Sequence, residues 1–300
     1  MIVIAAPGQG SQKQGFLSPW LDLPGVSDTL AAWSQAIGVD LISHGTVSDQ
    51  DTIRDTQIAQ PLIVAAGLLT GRLVQKTLGR QTAVSYAGHS VGEFTAAALS
   101  GALSDEDALG LVAVRGRAMA HAAAKEDTGM VAVIGGEYDE VAGELTSRGL
   151  VPANVNGGGQ VVAAGLKTAL AQLADNPPSG TRVIPLDVAG AFHTHFMESA
   201  VDTLREAATG VDFHTPHSPL YTNRDGSVVS DGDTIRELLI GQVSSPVRWD
   251  LCMEGMATGG VTRVIELAPA GALVGLAKRA LKGVETVKID LPEHIESLTI

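Results

Sequence analysis

The sequence contains a single cysteine, Cys252, in 300 residues. No disulfide can close within the chain and no cysteine cluster can hold a metal, which points to a reducing compartment. Aromatic residues amount to 4%, whereas Gly alone numbers 35. Small side chains let helices lie close against a sheet, which suits an α/β protein better than a β-sandwich. Positive charge is also scarce: 20 Lys and Arg stand against 33 Asp and Glu, a formal charge of −13. That balance argues against a nucleic-acid partner, because phosphate binding needs a basic footprint. An acidic protein partner would need a local basic patch. The N-terminal MIVIAAPGQG has no basic segment before its short apolar run, so it does not read as a signal peptide. No run approaches the roughly 18 uncharged apolar residues of a membrane span. A soluble, cytoplasmic monomer with no membrane partner is expected.

What the chain does have is 45% hydrophobic residues, enough for a large core in one domain or a domain with an insertion. IVIAA, residues 2–6, reads as a buried strand ending at Pro7-Gly8. Residues 60–78 read as a helix with Pro61 in its first turn, where a missing N–H costs nothing. AVSYA, residues 83–87, is a strand, and VGEFTAAALSGAL, residues 91–103, a helix. Ser104 caps a further helix running to about Ala124. Between 130 and 188 the rhythm changes to strand, helix, two strands, helix, strand. That βαββαβ order is the signature of a ferredoxin-like unit. A small subdomain at residues 126–190 is therefore expected, inserted in a larger α/β subdomain formed by 1–125 and 191–300.

YAGHSVGEF, residues 86–94, joins a strand to a helix and spaces Gly88, Ser90 and Gly92 as G-x-S-x-G. This sharp turn exposes a serine hydroxyl for nucleophilic attack, and the glycines permit its backbone angles. The helix start offers free N–H groups to a developing oxyanion. An ordinary N-cap serine in a glycine-rich turn would read the same way. PGQGSQ, residues 7–12, follows the first strand, and loops at the ends of neighbouring strands open onto one crevice. The N–H groups of Gln9 and Val91 are thus candidates for an oxyanion hole. Of the eight histidines, His193 and His195 lie where the chain leaves the insertion. No third ligand accompanies the pair, so a metal is not expected, and the sequence does not select between them as a base. Arg115 falls inside the apolar stripe Ala108, Leu111, Val112, Ala118, Met119, Ala122. A guanidinium there either forms a structural salt bridge or grips a substrate carboxylate. Arg117 faces solvent on the same periodicity.

Taken in order, PGQGSQ (7–12), IAQP (58–61), GHSVGE (88–93), RGRAM (115–119), NVNGGGQVVAAG (154–165), GAFH (190–193) and GQVSSPVRW (241–249) resemble the malonyl-CoA:acyl carrier protein transacylases. Single motifs are weak, but the ordered set spans nearly the whole chain. IELAPAGALVGL departs from the family's Glu-x-Gly-Pro-Gly pattern at Ala268 and Ala270, which is expected to alter a turn rather than the chemistry.

The resemblance implies an α/β-hydrolase-like large subdomain with a ferredoxin-like small one. It implies malonyl transfer from malonyl-CoA to the phosphopantetheine thiol of acyl carrier protein through a malonyl-serine, supplying fatty-acid elongation without a cofactor. Ser90 would be the nucleophile and His193 its general base, oriented by the backbone carbonyl of Gln242. Gln9 and Val91 would form the oxyanion hole, and Arg115 would hold the malonyl carboxylate. Gln60, Asn154 and Asn156 would line the site or touch the acyl-pantetheine arm. Phe192, in AFH, accompanies malonyl rather than methylmalonyl in related acyltransferases. Docking of an acidic carrier needs a basic patch, for which Lys278, Arg279 and Lys282 on the last helix are one candidate and an Arg115–Arg117 rim another; a plain solvated helix face is the alternative reading of 278–282. A polyketide pathway is the alternative use of the same site. A serine thioesterase or hydrolase is a further alternative, but its late histidine would have to be His294, in a polar tail.

Overall fold

The computed structural model describes residues 1–79 and 81–298. In chain order the strands are β1 (Ile2–Ala6), β2 (Val84–Gly88), β3 (Thr128–Ile134), β4 (Val151–Gly157), β5 (Gln160–Leu166), β6 (Arg182–Leu186), β7 (Leu220–Tyr221), β8 (Val228–Val229), β9 (Val247–Arg248), β10 (Arg263–Glu266) and β11 (Glu285–Lys288). Six of them form one sheet in the order β11–β10–β1–β2–β7–β8. Its pairings are parallel except for the β7–β8 hairpin. β1 is buried throughout and β2 at every residue after Val84. Central parallel strands covered by helices are apolar on both faces, which is why β1 reads as a continuous apolar run; β2 departs from it only at buried Ser85, whose hydroxyl donates to the Ile2 carbonyl.

The second sheet has the order β6–β3–β5–β4–β9. β3 pairs antiparallel with β5 and β6, and β4 antiparallel with β5. Helices Tyr138–Ser147 and Lys167–Asp175 complete the expected βαββαβ order. The fifth strand was not legible. β9 is two residues long, comes from far outside residues 126–190, and pairs parallel with Asn154 and Val155 of β4. The smaller sheet thus borrows an edge from the later chain.

The helix expected at 60–78 begins earlier, at Thr56. The Asp55 side chain accepts the N–H of Gln57 and sets that start, so Pro61 lies inside the helix rather than in its first turn. This helix, Thr56–Leu78, is long and apolar enough to cross a membrane by length and composition, contrary to the expectation that no segment is. It is a core helix here, packed on helices Gly92–Leu99 and Asp105–Ala123. Gly67 and Gly71 allow the close approach. A Cβ on Gly67 would sit 2.8 Å from Thr95, and one on Gly71 2.4 Å from Leu99. The helix after Ser90 ends at Leu99, short of 103, because Gly101 takes a positive φ of 87°. Ser104 caps the next helix through the N–H of Asp107. At the Ala268–Ala270 turn, the buried Glu266 carboxylate accepts N–H groups from Gly271, Leu273 and Val274 and caps helix Ala272–Ala280.

Candidate active site

The turn between β2 and helix Gly92–Leu99 is tight enough to exclude any side chain at its flanks. A Cβ on Gly88 would lie 2.0 Å from the Gly92 carbonyl carbon, and one on Gly92 2.3 Å from the Ala6 oxygen. Only glycine fits either position. Between them Ser90 holds a φ of 53°, rare for a residue with a side chain. Asn223 stabilises that conformation from behind. Its Oδ1 accepts the Ser90 N–H at 2.8 Å and its Nδ2 donates to the Gly88 carbonyl at 2.7 Å.

Ser90 Oγ lies 2.7 Å from His193 Nε2, and His193 Nδ1 lies 2.8 Å from the Gln242 backbone oxygen. A carbonyl can only accept, so the ring proton is on Nδ1 and the Nε2 lone pair faces the serine hydroxyl. His193 is buried and also holds a positive φ, 62°. Burial, then the positive charge of Arg115, push its pKa down to about 3, so the imidazole is a neutral acceptor at ordinary pH. His195, two residues on, is exposed and lies against Phe196. His294 accepts the N–H of Asp290 in the C-terminal region and does not line the site cavity.

Arg115 is 1% exposed. Its Nη1 donates to Gln60 Oε1 at 2.7 Å and its Nη2 to Gln242 Oε1 at 2.9 Å, while Nη2 is also 3.5 Å from Ser90 Oγ. Its Nε is buried with no partner. None of these partners is a carboxylate, so the salt-bridge alternative does not hold. Burial lowers the pKa of Arg115 and raises that of nearby Glu93, and each charge partly offsets the other's cost. Being sealed beneath the cavity, Arg115 cannot form half of a surface docking rim. That expectation is corrected, although Arg117 is exposed.

A cavity of about 350 Å³ opens above the serine. Gln9, Gln60, Ser90, Phe192 and His193 line it, together with Asn154 and Asn156 of β4. Val91 is fully buried behind the elbow. Among the described residues neither the Gln9 nor the Val91 N–H has a partner in the protein, whereas the Ser90 N–H is taken by Asn223. Asn154 Oδ1 is buried and unpartnered. Asn156 Oδ1 is instead 2.9 Å from His89 Nε2.

Three residues of this constellation were not foreseen. Glu93 accepts the Asn223 N–H through Oε1 at 2.7 Å and the Gln242 side-chain NH₂ through Oε2. Asn223 and His89 are the others. Glu93 left a trace in the sequence, because it is the one acid in the uncharged helix segment 91–103 and an acid there needs partners. Asn223, in YTNRDG, reads only as a turn.

The acyl transferase domain family matches residues 5–291 of the chain. The malonyl CoA-acyl carrier protein transacylase of Mycobacterium tuberculosis is 47% identical over 299 residues, 99% of each chain. The crystal structure of MCAT from Mycobacterium tuberculosis is similar with a TM-score of 0.96, over 99% of this chain and 98% of that one, at 47% identity. A malonyl-transacylase solved in complex with a type II PKS acyl-carrier protein is 29% identical, with a TM-score of 0.93 over 99% and 98% of the two chains. The chain belongs to the acyl transferase family and, within it, to the malonyl CoA-acyl carrier protein transacylases.

Proposed function

We propose that the protein transfers a malonyl group from malonyl-CoA to the phosphopantetheine thiol of acyl carrier protein through a malonyl ester on Ser90, supplying fatty-acid elongation. The observation that carries this is the 3.5 Å separation between the nucleophile Oγ and a buried guanidinium with no carboxylate partner. A three-carbon diacid esterified at Oγ brings its free carboxylate within reach of that cation. The amide oxygens of Gln60 and Gln242 occupy part of the fork meanwhile.

In the first half-reaction the Ser90 proton passes to His193 Nε2 as Oγ attacks the thioester carbonyl. The N–H groups of Gln9 and Val91 hold the oxyanion, and one such donor is typically worth about 10²–10³ in rate. The C–S bond breaks, and the CoA sulfur leaves with the proton from His193. In the second half-reaction the carrier's thiol gives its proton to His193 and attacks the ester, and Ser90 departs with that proton. Thioester is exchanged for thioester, so the energy change is small and no cofactor is required. A bidentate Arg115–carboxylate pair favours malonyl, because an acetyl group leaves the cation unpaired. Phe192 narrows the cavity beside the base. Asn154 Oδ1 is suited to accept an amide N–H of the pantetheine arm, and Asn156 shapes the wall through His89.

The reading includes an α/β-hydrolase-like part at 1–125 and 191–300, with a ferredoxin-like part at 126–190, in a cytoplasmic monomer. The exposed Lys278, Arg279 and Lys282 are the basic patch for an acidic carrier, and Arg279 also lines the cavity mouth. Service to a polyketide pathway is a second reading, favoured by the likeness to the transacylase bound to a type II PKS carrier.

Intact-mass measurement after incubation with malonyl-CoA tests the core of this. A malonyl adduct is expected on the wild type and none on Ser90→Ala. Free CoA and malonate without adduct would identify a hydrolase instead.

A further inference from the structure

Gln242 has an amide that is held at three points. Its Nε2 donates to the Ser90 carbonyl at 2.9 Å and to Glu93 Oε2, and its Oε1 accepts from Arg115 Nη2 at 2.9 Å. Above about pH 7, where the Glu93 carboxyl that burial raises to about 7 is ionised, the two groups facing the NH₂ are pure acceptors and the group facing the oxygen is a pure donor, so this orientation alone satisfies every contact. We propose that Glu93 is a positioning residue for acyl selectivity: it fixes which end of the Gln242 amide meets Arg115, and so aims the guanidinium at the acyl group on Ser90. The inference rests on the malonyl-transfer reading above.

Glu93 is itself held rigidly. It is 5% exposed, and its Oε1 is taken by the Asn223 backbone N–H, a donor that cannot turn away. Its second oxygen is therefore committed to Gln242. Replacing the carboxylate by an amide changes one atom and reverses the logic. In Glu93→Gln the new side chain keeps its oxygen on Asn223 and offers its NH₂ to Gln242. Gln242 then has to turn its own oxygen toward position 93 and its NH₂ toward Arg115. Two donors oppose each other, and the fork loses the acceptor that holds Nη2 in plane. Gln60 remains on Nη1 and cannot fix the plane alone.

The effect must appear in discrimination, not only in rate. Acylation of Ser90 would be measured with malonyl-CoA and with acetyl-CoA, taking the ratio of the two kcat/KM values. Glu93→Gln should lower the malonyl-to-acetyl ratio about tenfold or more, the scale of one charge-assisted hydrogen bond. In an Arg115→Ala background the same substitution should leave the ratio unmoved, because the aimed group is gone. If Glu93→Gln slows both acyl groups equally, or shifts the ratio just as much without Arg115, Glu93 only supports the elbow and the inference is overturned. Should that variant fail to fold, Gln242→Leu keeps the carbonyl on His193 and removes the amide. The same fall in ratio is expected, and an unchanged ratio overturns the inference. A wild type that takes no malonyl adduct would instead overturn the malonyl reading itself.

Discussion

The two sides of the serine elbow are built on opposite rules. Behind it, Asn223, Glu93 and the Gln242 side chain meet one another and the backbone with donor facing acceptor at each contact. In front, toward the cavity, polar groups are left waiting. The N–H groups of Gln9 and Val91 have no protein partner among the described residues, Asn154 Oδ1 is buried without one, and so is Arg115 Nε beneath the cavity floor. A saturated network is rigid, since every rotation breaks a bond. An unsaturated one is costly until a ligand completes it. The difference teaches how a site is kept both stiff and receptive: the rear supplies geometry and the front supplies unmet demand.

Substitutions should separate the two sides cleanly. The largest effect belongs to the backbone itself. Gly92→Ala forces a methyl into the Ala6 carbonyl, and expression should yield no folded protein by circular dichroism, or one that takes no adduct from malonyl-CoA. Next, Asn223→Ala strips partners from the Ser90 N–H and the Gly88 carbonyl. It should cost about 2–4 kcal/mol in denaturant unfolding, the scale of two buried groups left unpaired. Asn154→Ala, on the front, removes an atom already unpartnered and should shift stability by less than about 0.5 kcal/mol while weakening binding of the pantetheine arm. Equal losses of stability in the two asparagine variants would erase the distinction.

A graded effect comes from pH. The folded pKa of His193 lies near 3, below the ordinary 6.5, so the unfolded chain takes up a proton that the native site refuses. Its contribution is complete above 6.5 and is lost as pH falls toward 3, at up to about 1.4 kcal/mol per pH unit. Glu93, whose carboxyl is raised to about 7 by burial, acts in the opposite sense over the same range. The test is therefore the difference: unfolding measured from pH 7 to 5 should lose stability more steeply with acid in the wild type than in His193→Asn, by up to about 1.4 kcal/mol per pH unit. For the same reason kcat/KM for serine acylation should show no inflection from His193 at 6.5, and an inflection near 7 that disappears in Glu93→Gln would belong to Glu93.

What the sequence disclosed follows from how local each cause is. β1 and β2 were legible because a buried parallel strand is apolar at nearly every residue, Ser85 excepted, and Ser90 because its glycines sit two positions away. Arg115 announced itself as a cation in an apolar stripe. His193 could not be told from His195 by its neighbours; only the resemblance chose it, since the bond that distinguishes it comes from Gln242, 49 residues later. Asn223 acts on Ser90 across 133 residues and had no local signature. The start of helix Thr56–Leu78 was misjudged because Pro61 drew the boundary, whereas the Asp55 cap decides it.

The borrowed strand β9 has a mechanical consequence. Residues 242–249 run from the carbonyl that steers His193 to the pair of residues bound to β4, whose Asn154 and Asn156 line the same cavity. One short length of chain is therefore bolted to both jaws of a vice. Swinging the jaws apart to change cargo would drag the base off the nucleophile.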